Sequence, residues 1–137
     1  MPAGYLALVL HAHLPYIRHP EEPGIMEERW LFEAITECYV PLLRSFEKLV
    51  KEGVNFSLTL SLSPPLIAML NDHLLQARYL RYLEGLIRLA EAELDRNKNS
   101  PAVRDLASMY YYRLNDVRRS FEDDYGGNLI LPLQSLQ

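Results

Sequence analysis

The stretch Tyr5-Leu6-Ala7-Leu8-Val9-Leu10 is apolar without a break, and His11-Ala12-His13-Leu14-Pro15 follows it directly. An apolar run of this length predicts a strand buried on both faces, as in a parallel sheet. Side chains alternate along a strand, so His11 and His13 share a face with Ala7 and Val9, while Leu6, Leu8 and Leu10 take the other. Pro15 cannot donate to a ladder and should end the strand near His13. Two imidazoles then stand side by side at the carboxyl end of a buried strand, where ligands sit in α/β folds.

Pro15, Pro20 and Pro23 predict an extended loop up to Gly24, carrying Arg18 and His19 over the histidines. A helix should begin near Glu27 and Glu28, whose charges suit the positive end of a helix dipole. Leu31, Ile35, Cys38, Leu42, Phe46 and Leu49 recur at helical spacing and predict its buried stripe, with Cys38 as a small buried hydrophobe. Pro41 should kink or break the helix and open a second segment, and Gly53 should cap its end. From Asn55 to Ser63 the chain alternates. Phe56, Leu58, Leu60 and Leu62 face one way and Ser57, Thr59, Ser61 and Ser63 the other, predicting a second strand. Strand, helix, strand is a βαβ unit and should pair in parallel.

The remainder reads as helices. Ser63-Pro64-Pro65 is a cap-plus-proline start for a short helix ending near Asn71, and Asp72 can cap a long one running to about Arg96. Leu83, Leu86, Ile87, Ala90 and Leu94 should face inward on that helix; Arg78, Arg81, Arg88, Glu91 and Glu93 should form its solvated face. After the break at 97–99, Ser100-Pro101 repeats the start signal. Val103, Leu106, Tyr110, Leu114, Val117 and Phe121 predict one buried face as far as about Asp123. Gly126-Gly127 should stop that helix, and Asn128 should cap a last segment, Leu129 to Leu136. Residues 1–63 thus form the βαβ unit and 64–137 a helical segment. Two parallel strands leave both sheet edges open. Either another chain completes the sheet or, as expected here, this is the front piece of a longer protein that would self-associate or fold marginally alone.

Composition narrows this picture. Of 137 residues, 49% are hydrophobic and 23% charged, ordinary values for a globular chain able to bury one modest core. A net charge of −4 without a basic block speaks against nucleic acid as partner. No apolar run approaches the roughly 20 residues of a membrane helix. The start Met-Pro-Ala-Gly-Tyr lacks the basic region of a signal peptide. A lone cysteine, Cys38, allows no intrachain disulfide and no cysteine zinc cluster. A cytoplasmic location follows as the expectation.

Few residues of the chain offer chemistry. His11 and His13 are either ligand contacts or core histidines satisfied by backbone carbonyls. A His-x-His pair on a strand can also supply two metal ligands. No third ligand stands at suitable spacing, since His19 lies on the proline loop and His73 opens a helix, so neither metal nor cofactor is expected. Trp30 is either core or a ligand contact, and Arg18 either a contact or a solvated loop charge. Tyr110, Tyr111 and Tyr112 diverge by about 100° each on a helix and cannot form one surface.

At His11-Ala12-His13-Leu14-Pro15-Tyr16-Ile17-Arg18 the sequence resembles the first motif of glycoside hydrolase family 57, an HxHxP element on the first barrel strand. The resemblance extends through Glu28–Glu37, Tyr39–Leu43, Leu60–Leu66 and Met109–Leu114, nearly the whole chain, and is nearest to the α-1,4-glucan branching enzymes. It implies an α/β fold, the N-terminal portion of a (β/α)7 incomplete TIM-like barrel, with a retaining mechanism on α-glucans. A retaining pair needs two carboxylates about 5 Å apart. The family carries its glutamate nucleophile and aspartate acid/base on later strands, and none of Glu33, Glu37, Glu47, Glu84, Asp105 or Asp116 occupies a matching motif. No catalytic residue is therefore expected in this chain, nor activity from it alone. What the resemblance leaves here is substrate contact: His11 and His13 beside the nucleophile, Trp30 as a stacking surface, and Arg18. The implied partner is an α-glucan, and the implied reaction transfers an α-1,4-glucan chain to a 6-hydroxyl. The alternatives are an α-amylase or 4-α-glucanotransferase of the same family, a truncated non-catalytic glucan-binding or packing module, or a metalloprotein.

Overall fold

The computed structural model of the chain describes residues 4–22 and 24–136. Pro23 of the proline loop and the Met-Pro-Ala start lie outside the described residues. Strand β1 spans Val9–Ala12 and strand β2 spans Thr59–Leu62. They pair in parallel with His11 opposite Ser61, and the Thr59 and Ser63 amides extend the ladder to the Leu8 and Ala12 carbonyls. Both strands are shorter than the apolar pattern suggests. The sheet has these two strands only among the described residues, so ladder bonds form just where the two overlap. Nor is β1 buried on both faces: Val9 and His11 are exposed, Leu10 and Ala12 half-buried. A strand of this composition needs covering layers on each side, and here one side is open.

Helix α1 (Met26–Ala34) runs through a π-helical turn, Ile35–Tyr39, into helix α2 (Val40–Lys51). Pro41 explains the turn. Proline has no N–H to donate to the carbonyl four residues back, and its ring crowds that carbonyl. A single wide turn absorbs the misfit, and the Val40 amide bonds to Ile35, five residues back. The break expected at Pro41 is thus a change of pitch rather than an end. The extra residue also rotates everything after it. The buried stripe runs Leu31, Ile35, Val40, Leu43, Phe46, and the expected positions Cys38 and Leu42 fall off it. Cys38 is exposed, which corrects its reading as a buried hydrophobe. Gly53 ends the segment at φ +68°, as a left-handed cap requires.

Helix α3 (Pro64–Leu70) follows β2, with Ser63 at the cap position. The Ser63 hydroxyl makes no cap hydrogen bond, because Pro65 removes one of the amides such a cap serves. Asp72 does cap helix α4 (His73–Arg96), its carboxylate accepting from the Leu74 and Leu75 amides at 2.8 and 3.1 Å. Helix α5 (Pro101–Arg119) returns along α4 and ends in a second π turn, Ser120–Asp124, before Gly126 and Gly127 at positive φ. The short helix α6 (Ile130–Ser135) closes the described chain, with the Asn128 side chain accepting from the Ile130 amide. No helix among the described residues is long and apolar enough to cross a membrane.

The core lies among α1 to α5, around Tyr79. Its ring meets Phe121 edge-on at 4.7 Å and Phe32 at 5.9 Å. Its hydroxyl bonds to Thr36, which donates in turn to the Phe32 carbonyl. Burial pushes the Tyr79 phenol well above its ordinary value. Two faces depart from expectation. Arg78 is buried rather than solvated, and Val103, Leu106 and Tyr110 are exposed. The first half of α5 packs chiefly on α4, and its outer positions find no cover. With Leu86 and Leu89 these residues line an open apolar hollow of about 330 Å³.

Candidate functional site

β1 delivers His11 and His13 to one face, as the alternation of a strand demands. The rings lie nearly parallel, 12° apart in plane with centroids 6.0 Å apart, and both are exposed. That excludes core histidines. The pairing register places Ser61 of β2 beside His11, and its hydroxyl lies 3.1 Å from Nδ1. Ser61 thereby holds the His11 ring in one orientation and directs Nε2 outward. Thr59 stands on the same exposed face of β2. The result is a shallow polar strip of two imidazoles and two hydroxyls. His13 can donate from one ring nitrogen and accept at the other, and His11, with Nδ1 on Ser61, can do one or the other at Nε2. No group of three or more histidine, cysteine, aspartate or glutamate side chains able to hold a metal occurs among the described residues.

Arg18 follows on the loop and pairs with Asp72, Nε to Oδ2 at 2.5 Å, both partly buried. It is thus not a free loop charge, but its side chain stays 32% exposed with its other N–H groups unassigned to Asp72. Burial pushes the Asp72 carboxyl up, but the Leu75 amide and the Arg18 guanidinium outweigh it, and the pKa falls below its ordinary value. Trp30 sits on α1, 44% exposed. Neither a ring pairing nor a hydrogen bond joins it to either imidazole among the described residues. The chain therefore brings His11 and His13 together, ties Arg18 to the start of α4, and leaves Trp30 available on the surface.

Two features escaped the sequence reading. Ser61 as partner of His11 depends on strand register, which the sequence does not display. The second is a buried ion pair of Arg78 with Glu28, both with almost no accessible surface. A signal for it existed. Glu28 stands three and four positions before Leu31 and Phe32, and Arg78 three after Leu75 and next to Tyr79, so each charge falls inside an apolar stripe. A groove of about 890 Å³, more apolar than polar, lies beside β2, lined by Phe46, Phe56, Leu60 and Ile130 together with Asn55 and Thr59; the histidines do not line it.

The family model described as glycosyl hydrolase family 57 matches residues 7–136. A 1,4-alpha-glucan branching enzyme of Thermococcus kodakarensis is 34% identical over 127 residues, 92% of this chain and 18% of that protein. Among solved structures, the alpha-amylase AmyC from Thermotoga maritima is 42% identical with a TM-score of 0.87, covering 94% of this chain and 24% of the other. The GH57-type branching enzyme from Pyrococcus horikoshii is 35% identical with a TM-score of 0.89, covering 98% and 25%. The chain thus spans about a fifth of the length of that curated relative and about a quarter of those crystal structures.

Proposed function

Since this chain belongs to glycosyl hydrolase family 57, we propose that it is the part of a retaining α-glucan-active enzyme that contacts the sugar. In this reading the chain is a partial catalytic domain: residues 1–63 supply the first βαβ unit of a (β/α)7 barrel and residues 64–137 a helical segment. The two-stranded parallel sheet with open edges and the groove beside β2 support it. The reaction is transfer of an α-1,4-glucan chain to a 6-hydroxyl, supported by the branching enzymes among the relatives. The glutamate nucleophile and aspartate acid/base come from other parts of the enzyme, and the 137 residues alone are inactive.

His11 and His13 hydrogen-bond the hydroxyls of one glucose unit from the same side. Trp30 offers an indole face for stacking and an N–H for donation. Arg18, held by Asp72, contributes through its remaining N–H groups. The observation that carries this is the pair of exposed, nearly parallel imidazoles on one strand face. Titrating the chain with maltohexaose tests it, following the His11 and His13 ring resonances. Saturable shifts in both rings, lost in His13→Ala, are expected; the absence of any shift at millimolar sugar would overturn it. Hydrolysis of α-1,4 bonds is the second reading, favoured by the 42% identity to an alpha-amylase.

A further inference from the structure

The loop that leaves β1 is held from outside by four contacts. The Ile17 amide donates to the Met69 sulfur at 3.3 Å, and Arg18 pairs with Asp72. Arg78, two turns further along α4, donates from Nη1 to the His19 carbonyl at 2.8 Å and from Nη2 to the Pro20 carbonyl at 3.1 Å. The same Nη1 pairs with Glu28 on α1. Arg78 is 7% exposed and Glu28 not at all.

A buried ion pair is a poor device for stability, because desolvation cancels most of the attraction and apolar residues of similar size commonly do as well. This pair is not even arranged for the strongest pairing. Glu28 Oε2 and Arg78 Nε lack a hydrogen-bond partner among the described residues, whereas a bidentate fork would use a second oxygen and nitrogen. The orientation of the guanidinium is the one that serves two consecutive backbone carbonyls. His19 and Pro20 are themselves exposed residues, yet their carbonyls turn to the guanidinium, and a loop interrupted by Pro15 and Pro20 forms no regular ladder that would otherwise hold them. Only arginine presents several N–H groups in a rigid fork; a lysine is a point charge and cannot meet both carbonyls and the carboxylate in this plane.

We infer that Glu28 and Arg78 are positioning residues: the guanidinium clamps the His19 and Pro20 carbonyls and Glu28 neutralises and orients it, so that the loop behind His13 is a fixed rim. The clamp begins six residues beyond His13, and Ile17 and Arg18 anchor the stretch between them. The rim therefore limits how far the end of β1, and with it the His13 ring, can move. For its effect on sugar binding this rests on the function proposed above; the clamping of the loop does not.

Hydrogen exchange of the full chain tests it, read at the buried Ile17 amide, whose N–H the loop holds on the Met69 sulfur, beside the urea unfolding midpoint. The variants are Arg78→Lys, which keeps a charge for Glu28 but loses the fork, and the double replacement Glu28→Met with Arg78→Met, which removes both charges together. In either one, the Ile17 amide should exchange about tenfold faster or more while the unfolding midpoint stays near that of the parent. Loop exchange that is unchanged, or that rises only in proportion to a global loss of stability, would overturn the clamp. If the double variant does not fold, Arg78→Lys decides by the same two readouts. Maltohexaose affinity should fall in step with loop exchange. If the parent chain itself binds no maltohexaose, the sugar-site function fails while the exchange data still decide the clamp.

Discussion

In the helical part, Tyr79 has no accessible surface, touches rings from α1 and from the turn after α5, and has its hydroxyl paired. At β1 and just before it, Val9 is 65% and Leu6 94% exposed, though both are as apolar as anything in the core. The difference lies in the number of partners. A helix needs one contact stripe, and α1 to α4 with the second half of α5 cover most of one another's stripes within this chain, the first half of α5 remaining open. A buried-type strand needs neighbours on both edges and a layer on both faces, and among the described residues each strand has one neighbour. The stable half of the molecule is thus the half whose contacts are more nearly complete. The half that carries the histidines is the one left open.

Substitution in each region measures this contrast. Tyr79→Ala should cost about 3–5 kcal/mol by urea unfolding, since it empties a large buried site and leaves Thr36 without its hydroxyl partner. A loss below about 1 kcal/mol would erase the distinction. Arg78→Met by itself should cost about as much, because it leaves the Glu28 carboxylate buried and unpaired. Asp72→Ala should cost about 1 kcal/mol through the lost cap of α4, and it also frees Arg18.

The Asp72 contribution carries a pH signature. Its pKa is lowered in the folded chain, so between that value and the ordinary 3.8 the unfolded chain holds more protons than the folded one. Stability from this group is complete above the ordinary value and falls as pH drops through the lowered one. The parent should lose stability below about pH 4 more steeply than Asp72→Ala. The smallest effect belongs to the sheet: Val9→Thr should change stability by no more than about 0.5 kcal/mol. It should also reduce concentration-dependent association in sedimentation velocity, because the open edge and the exposed apolar face are the surfaces that associate. A parent chain that stays monomeric at high concentration would show that the open strands are no liability.

Local chemistry accounts for what could be read in advance. The shared face of His11 and His13, the parallel βαβ pairing, the Asp72 cap, the Gly53 stop and the change at Pro41 each depend on a few consecutive residues. The misses have one kind of cause. Cys38 left the buried stripe because one extra residue in a π turn rotated the helix after it, and periodicity assumes a constant pitch. Val103, Leu106 and Tyr110 are periodic but exposed, because periodicity marks a face without supplying a partner for it. Arg78 was assigned to solvent by residue type, whereas its neighbours Leu75 and Tyr79 already placed it on the inner stripe.

By itself the amino-acid order determined where most helices start and stop and which way the imidazoles point, because caps, prolines, glycines and strand alternation act within a turn or two of chain; the strand ends waited on pairing. Tertiary structure alone decided that Ser61 stands beside His11, that Arg18 is bound to Asp72, and that Glu28 and Arg78 meet inside the protein. Those pairs are 50 or 54 residues apart in sequence, and only the packing of α1, α4 and the two strands brings them within bonding distance.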